Sequence, residues 1–471
     1  MDNIWKTVDF VCYALVLLCV IWLPIPWGSR PEWSVYLMEI LILSIALMCF
    51  IAQLINPNSR EIIWKPSKAV IIFLVAWLIY QIFQLIPLPS SIVQIIEPNT
   101  HALYNANTLQ TDFKDVYSIS VDRGTSLKEA IKNISYVVLF ILVFVLITSR
   151  RRLVVLASTI FVVGVAESIF GIYALATNLR YVPEEVMEGH RWVTGTFLNR
   201  NHFAGHIVMV IGVGLGLLFL GNRLSANTGG ARKLLILVID YFLSFRGWIL
   251  ICVVVLFSGL FLSESRGGAL SIIGSLSLTL AFTFVIRKNN QNRAIKPVAI
   301  ILIIILAATW LGTGDLTTRF KDISEDERLR QWKLTSTLIK DHMIFGIGGG
   351  NYQWVFQNYR DGSLRIRTYD HAHQDYLELL AEHGLVGFAL LALAIIFVLK
   401  NLLIGYMFGK SNLSRSITFG TLVSLLGMLL HGMVDFNFRV PANAAYFYII
   451  AALGLASLTL DNRNNIRHER T

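Results

Sequence analysis

Residues 134–177 read ISYVVLFILVFVLITSRRRLVVLASTIFVVGVAESIFGIYALAT. Two apolar runs, 134–149 and 153–177, are each long enough to cross roughly 30 Å of hydrocarbon as an α-helix. Only a basic turn at 150–152 separates them. Because basic residues in short connections mark the cytoplasmic side of a membrane protein, this stretch predicts two adjacent spans with a cytoplasmic turn.

The composition of the whole chain indicates the same fold class. Of the 471 residues, 55% are hydrophobic and 15% are charged, which is more apolar than a soluble core requires. The formal net charge is +10. Most basic residues lie in short clusters between apolar runs, which is typical of membrane topology and not of nucleic-acid binding. The lipid bilayer is therefore a predicted partner, and nucleic acid is not.

Similar apolar runs recur along the chain and predict about twelve transmembrane helices. They lie at 10–27, 34–55, 69–88, 134–149, 153–177, 202–220, 247–263, 268–286, 297–313, 384–404, 416–434 and 443–460. An even number of spans places both termini in the cytoplasm. The first run has no small-residue cleavage site, so we expect a retained span and not a signal peptide. A shorter apolar stretch at 234–245 is expected to lie along the cytoplasmic interface.

Two polar segments, at about 89–133 and 314–383, are longer than the usual connections between packed helices. Both lie on the non-cytoplasmic side of the predicted topology. The sequence therefore predicts an all-α polytopic membrane protein with a large extracytoplasmic loop domain that carries the function. All four cysteines lie inside apolar runs without the paired spacing of a zinc or disulfide site, so we expect no cysteine chemistry.

Polar motifs concentrate in the second polar segment and at three helix ends. The segment contains Glu327-Arg328-Leu-Arg330-Gln-Trp332, Asp341-His-Met343-Ile-Phe-Gly346-Ile-Gly348-Gly349-Gly350 and Tyr369-Asp370-His371-Ala-His373-Gln374-Asp375-Tyr-Leu, and Glu382-His-Gly384 opens the next span. The helix ends carry Gly195-Thr-Phe-Leu-Asn199-Arg200-Asn201-His202, Ser263-Glu-Ser-Arg266-Gly and His431-Gly-Met-Val-Asp435.

The order and spacing of these motifs resemble the O-antigen ligase and O-antigen polymerase superfamily. Its members show an Arg before a Trp, an Asp-His-Pro and Gly-x-Gly segment, and a His-Ala-His-Asn-x-Tyr-Leu segment. The resemblance covers roughly 190–445, and it departs from the family pattern at Met343, where Pro is usual, and at Gln374, where Asn is usual. Neither change removes a candidate catalytic group.

The resemblance implies a glycosyltransferase of the GT-C type in the bacterial inner membrane, with its active site on the periplasmic face. It divides the chain into N-terminal transmembrane helices with the first loop (1–190), a catalytic region with the second loop (191–445), and the last helix with a cytoplasmic tail (446–471). The implied donor is an undecaprenyl-diphosphate-linked glycan. The implied reaction passes the glycan with inversion to a hydroxyl of a lipid A core, a protein or a polysaccharide, without a metal or other cofactor.

Two other functions remain open from the sequence. A polymerase of the same superfamily differs only in its acceptor, which is another lipid-linked repeat unit, and the motifs do not separate it from a ligase. A polysaccharide flippase or transporter is a more distant alternative. Such a protein should place ionisable residues near the bilayer midplane, and the predicted spans contain few of them. Glu167 is the best candidate for such a residue, although it can also hydrogen bond to a neighbouring helix.

A diphosphate leaving group needs fixed cations, and the guanidinium group suits two phosphate oxygens better than an ammonium group does. Arg266 lies in a tight turn between two apolar spans, where an isoprenoid phosphate is expected, and it is the first candidate ligand. Arg328 matches the family Arg by its spacing to Trp332. Arg330 is an alternative to Arg328. The competing interpretation of all three arginines is that they lie at the membrane interface and contact lipid phosphate without a role in the reaction.

The acceptor hydroxyl must lose a proton, and a neutral imidazole is a suitable base. His373 matches the family His that precedes Asn, and His371 is the reserve candidate. The pair can also be interpreted as half of a zinc site, but no third ligand follows at a recognisable spacing, so no metal is expected.

Polar residues at two other helix ends are candidates for binding sugar. Asn199, Arg200 and Asn201 suit either helix capping or contacts to sugar hydroxyls and phosphate. His202 can contact substrate or pack near the helix end, and Asp435 can orient an Arg or a His. The glycine run at 346–350 lacks a following Lys-Ser/Thr and predicts a tight turn and not a nucleotide loop.

Overall fold

The computed structural model describes residues 2–56, 67–107, 116–179, 181, 192–220, 244–286, 323–362, 364 and 368–469. These residues are almost entirely helical. In chain order the elements are α1 (Asp2–Trp22), α2 (Glu32–Ile55), α3 (Lys68–Leu85), β1 (Leu88–Pro89), α4 (Ser90–Ile96), α5 (Pro98–Asn107), β2 (Val116–Tyr117), α6 (Arg123–Leu146), α7 (Arg150–Thr177), α8 (Arg200–Leu218), α9 (Phe245–Leu262), α10 (Arg266–Ile286), α11 (Ile323–Asp341), α12 (Tyr352–Val355), α13 (Asp375–Phe408), α14 (Asn412–His431) and α15 (Pro441–Glu469).

Ten of the described helices are long and apolar enough to cross a membrane, namely α1, α2, α3, α6, α7, α8, α9, α13, α14 and α15. Each coincides with a predicted span, and the predicted fold class, an all-α polytopic membrane protein, is confirmed. Helix α10 covers the predicted span 268–286 but is not one of the ten. The predicted span 297–313 and residues 234–243 of the predicted interfacial stretch lie outside the described residues.

Helix α8 is the centre of the bundle and packs against α7, α9, α14 and α15. Its contact with α14 is close because both helices present small residues. A Cβ atom on Gly420 would lie 2.5 Å from the Gly212 carbonyl oxygen, so the two backbones nearly touch. The Ser424 hydroxyl donates to the Met209 carbonyl at 2.6 Å across the same contact. Small residues and interhelical hydrogen bonds are the usual means of packing helices in lipid, and here they fix the start of α8 beside the end of α14.

The first polar segment is shorter than predicted. We expected a loop to 133, but α6 begins at Arg123, because the Asp122 side chain caps the helix by accepting from the Gly124 amide at 2.9 Å. Before it lie α4, α5 and a two-residue antiparallel strand pair between Leu88–Pro89 and Val116–Tyr117. Short apolar stretches in a polar segment were not strong enough signals to predict these elements.

The two polar segments dock onto each other. The Val121 amide donates to the Ile347 carbonyl at 3.0 Å, and the Asn351 side-chain amide donates to the Ser120 and Ser126 hydroxyls, each at 3.1 Å. The glycine run forms a tight turn, as predicted, with positive φ at Gly346, Gly348 and Gly350. The amides of Ile347 and Gly348 donate to the Ala381 and Glu382 carbonyls of α13 at 3.0 and 2.8 Å, so the turn serves packing.

Helix α13 is broken at Gly384, which has φ 58° and ψ −169°. The amides of Leu385 and Val386 donate to the Met343 and Ile344 carbonyls at 2.8 and 3.2 Å instead of continuing the helix. The membrane-spanning part therefore starts near the predicted residue 384. The residues before it form a separate helical piece, Asp375–His383, where the sequence had predicted the end of a loop.

Candidate functional site

The site is built around the ring of Phe436, in the connection between α14 and α15. Three imidazoles surround this ring. His371 stacks on it with the ring centres 4.4 Å apart, and His373 and His202 meet its edge at 4.7 and 4.8 Å. The structure therefore brings the predicted His-x-His motif to the start of α8, although more than 160 residues separate them in the chain.

His371 is held by a buried carboxylate. Its Nδ1 lies 2.8 Å from Glu378 Oε1, and the Ala372 amide donates to the other oxygen of Glu378 at 2.8 Å. A carboxylate that accepts from Nδ1 fixes the ring orientation and leaves Nε2 as the free nitrogen. Glu378 is 1% exposed, so this contact is protected from water.

Arg439 supplies the charge that keeps Glu378 ionised. Its Nε lies 2.9 Å from Glu378, its Nη1 lies 3.3 Å from Glu129, and its Nη2 contacts Glu382. Burial alone would lower the pKa of Arg439, but the three carboxylates outweigh it and hold the pKa well above its usual value. The guanidinium is thus permanently charged, and Lys132 balances Glu129 at 2.6 Å.

His373 has a different environment. Its backbone adopts φ +53°, a left-handed conformation that non-glycine residues rarely adopt outside functional sites. Burial lowers the pKa of His373 to about 4, with Asp435 opposing and Arg328 reinforcing the shift. Its side chain is nevertheless 32% exposed. His373 is therefore a neutral imidazole at neutral pH that a substrate can reach.

Asp435 is buried among imidazoles and does not face solvent. Its Oδ1 lies 4.0 Å from His373 Nδ1. Burial alone would raise the pKa of Asp435, but His202, His431 and the Phe436 amide outweigh it and lower the pKa. Asp435 is thus placed to act on the neighbouring histidines. In the part of the chain that the structure describes, Nε2 of the buried His202 has no hydrogen-bond partner.

The predicted arginines lie on two different helices, with Arg328 and Arg330 on α11 and Arg266 on α10. Helix α11 is fastened to the His-x-His segment, because the Gln331 side chain donates to the His371 carbonyl at 2.7 Å and Trp332 donates to the Ala372 carbonyl at 2.9 Å. This brings the charge of Arg328 close enough to affect His373. Arg330, two residues further along the helix, is exposed and points to another side.

Arg266 begins α10, next to the end of α14. The turn before it is closed by the Ser265 hydroxyl, which accepts from the Gly268 amide at 3.2 Å. A Cβ atom on Gly267 would lie 2.9 Å from the His431 ring, so the Ser-Arg-Gly turn packs directly on the end of α14. Arg266 is half-buried there.

The residues at the start of α8 mostly serve local structure. The Asn199 side chain accepts from the Asn201 amide at 2.8 Å and caps the helix. Arg200 lies 3.6 Å from Glu264 and 4.2 Å above the Trp192 ring. Glu167 accepts from the Thr196 amide at 2.9 Å, which accounts for a carboxylate within a span.

An apolar cavity of about 130 Å³ lies below the Arg439 network, between α3, α6, α13, α14 and α15. Leu74, Phe140, Ala394 and Phe447 line it within the membrane-spanning region. Glu129, Asp375 and Arg439 close its polar end. The cavity therefore connects the buried charges of the site to the hydrocarbon depth of the bundle.

Residues 251–392 match the family model described as O-Antigen ligase. The chain carries an O-antigen ligase domain. This confirms the predicted relation to the O-antigen ligase and polymerase superfamily and supports a membrane enzyme of that kind. The O-antigen ligase domain includes Arg266, Arg328, His371 and His373. No curated protein matches the chain.

Several residues of the site were not predicted. Glu378 and Glu382 lie four residues apart on one helical face, and a pair of acids in an apolar helix was the available signal. Glu129 comes from α6 and Arg439 from the connection before α15, and both lie outside the O-antigen ligase domain. No local pattern connects them to the histidines, because the contacts arise only from helix packing.

Proposed function

We propose that the protein transfers a glycan from undecaprenyl diphosphate to an acceptor hydroxyl, on the periplasmic face of the bacterial inner membrane. The observation that carries the proposal is a reachable, neutral His373 beside the charge of Arg328, within an O-antigen ligase domain. A base next to a cation suits a reaction that removes a proton and releases an anion.

The proposed reaction is a single displacement. His373 takes the proton of the acceptor hydroxyl, and the oxygen forms a bond to the anomeric carbon of the donor glycan. The bond from that carbon to the diphosphate oxygen breaks, and its electron pair leaves with the diphosphate. Arg266 and Arg328 stabilise the released charge, and the configuration at the anomeric carbon inverts.

His371 is the alternative base, because Glu378 orients its ring and leaves Nε2 free. The proposal favours His373, since its burial keeps the imidazole neutral and its side chain is accessible. A lipid A core, a protein or a polysaccharide can each present the hydroxyl in this scheme. A polymerase uses the same groups with a lipid-linked repeat unit as acceptor.

The test is glycan transfer in a deletion strain complemented with His373→Ala or His371→Ala at equal protein levels. Loss of a general base is expected to lower transfer by about 10²–10⁴-fold. If glycan on the lipid A core is lost while long lipid-linked chains accumulate, the protein is a ligase. If the lipid-linked chains become short instead, it is a polymerase.

His101→Ala is the matched control, because His101 lies on α5, where its Nε2 is 2.9 Å from the Ser90 hydroxyl and its ring meets that of Tyr117. It is expected to leave transfer unchanged. Wild-type activity in His373→Ala with loss in His371→Ala would assign the base to His371. Unchanged transfer in both variants, or a trapped covalent glycosyl-enzyme, would refute the mechanism.

A further inference from the structure

The turn between α1 and α2 has an unusual backbone. Trp27, Gly28 and Ser29 have φ values of 55°, 71° and 57°, so three consecutive residues are left-handed and two of them are not glycine. Such a conformation persists only where the surrounding structure imposes it, and it is concentrated at functional sites. The residue that follows this turn is Arg30.

Contacts on two sides impose the turn. The Gly28 carbonyl accepts from the Ala442 amide at 3.1 Å, at the start of α15. The Thr196 hydroxyl donates to the Pro24 carbonyl at 2.7 Å, just before α8. A Cβ atom on Gly28 would lie 2.7 Å from the Phe197 ring, so only glycine fits there. The turn is therefore fixed between the two segments that carry His202 and Phe436.

This position places Arg30 within electrostatic range of the site. Its charge acts on Asp370, the residue before His371, and on His202. The side chain remains accessible, while partial burial lowers the pKa of the guanidinium and Asp370 opposes that shift. An arginine that only reached towards lipid phosphate would need neither a strained turn nor neighbours from the His-x-His segment.

We propose that Arg30 is a further ligand for the diphosphate of the lipid-linked donor, supplied by the α1–α2 turn. The proposal rests on the proposed function and extends the donor site beyond the O-antigen ligase domain. Together with Arg266 and Arg328, Arg30 provides a third guanidinium, from a third part of the chain. Three cations on separate elements suit the several oxygens of a diphosphate.

The test compares Arg30→Gln and Arg30→Lys in phosphatidylcholine proteoliposomes, with transfer rates measured against donor concentration. Arg30→Gln is expected to raise KM for the donor about tenfold, the effect of losing one charged hydrogen bond of about 1.4 kcal/mol. The acceptor KM should not change, and Arg30→Lys should recover part of the loss. Arg123→Gln, an exposed arginine at the start of α6, is the matched control.

A second measurement separates this proposal from the proposed function. Undecaprenyl diphosphate, without glycan, should raise the Tm of the wild type more than that of Arg30→Gln, whether or not transfer occurs. Undecaprenol should stabilise both equally. An unchanged donor KM and an unchanged Tm shift would overturn the role of Arg30. The role would also be overturned if Arg30→Gln reduced the Tm shift caused by phosphatidylglycerol as much as the shift caused by undecaprenyl diphosphate. Arg30 would then bind lipid headgroups in general.

Discussion

His371 and His373 are two residues apart and contact the same aromatic ring, but their surroundings differ. The Nδ1 of His371 is committed to Glu378, whose charge Arg439 balances. The Nδ1 of His373 has no such partner among the described residues, and Asp435 Oδ1 lies 4.0 Å away. Neighbouring groups with different environments commonly divide acid and base roles in an active site.

The pKa of His373 gives a prediction for the pH dependence of transfer. Because burial lowers this pKa from 6.5 to about 4, the imidazole remains unprotonated and able to act as a base above about pH 5. We expect kcat/KM to stay constant from about pH 8 to about pH 6 and to fall only as the pH approaches about 4. A rate profile in proteoliposomes measures it, and a midpoint near the ordinary 6.5 would contradict the assignment.

At the residue scale, the sequence predicted the groups that match family motifs and missed their partners. His373 and Arg328 could be found because each lies in a short motif that matches the family pattern. Glu378 was within reach of the same segment, but its bond to His371 depends on a left-handed backbone at His373. Arg30 could not be found, because the turn that positions it depends on contacts to α8 and α15.

At the element scale, Gly384 separates residues 375–383 of α13 from the membrane span that follows. The preceding piece carries Glu378 and Glu382 towards Arg439, while the following piece enters the bilayer. The break is stabilised by two carbonyls of the second polar segment, which accept hydrogen bonds from the amides of Leu385 and Val386. The angle between the two pieces therefore sets the distance between the polar segment and the network of buried charges.

The Gly384 break predicts a strong effect of Gly384→Ala. Its φ and ψ belong to a region that only glycine adopts readily, at a cost of about 1–3 kcal/mol for other residues. A Cβ atom would also lie 2.3 Å from the Ile344 carbonyl oxygen. We expect a lower Tm in detergent and loss of transfer. Gly362→Ala is the control, because a Cβ atom there meets none of the described residues within 4 Å, and both properties should remain.

Spans were easier to predict than the elements between them. Hydropathy identified all ten described spans, since lipid requires a long apolar helix regardless of its neighbours. It missed α4 and α5, whose formation depends on docking to the second polar segment, for example through Glu97, 3.3 Å from His342. It also placed the start of α6 too late, because the first turns of that helix are polar.

At the scale of the whole molecule, Arg439 joins three distant parts of the chain. It contacts Glu129 from α6, and Glu378 and Glu382 from α13, while Arg439 itself precedes α15. A buried network of this kind is costly to interrupt, because removal of one partner leaves the other charges unpaired. The network therefore controls both the stability of the bundle and the orientation of His371.

Arg439→Met is expected to destabilise the protein by about 3–5 kcal/mol, the usual cost of breaking a buried ion pair. The reason is that two buried carboxylates, Glu378 and Glu382, lose their cation. Thermal unfolding in detergent measures the effect. Arg151→Met, at an exposed position in the first turn of α7, is the control and should change stability by about 0.5 kcal/mol or less. Equal Tm values for the two variants would contradict this role of the network.

The order in which the chain is synthesised gives the Arg439 network a further consequence. Glu129, Glu378 and Glu382 all precede Arg439, so during insertion two glutamates of α13 enter the bundle before their counter-charge exists. A polypeptide interrupted before this arginine contains uncompensated acids at the membrane boundary. A chain that ends before residue 439 therefore cannot form the ion pairs that Glu378 and Glu382 make with this arginine.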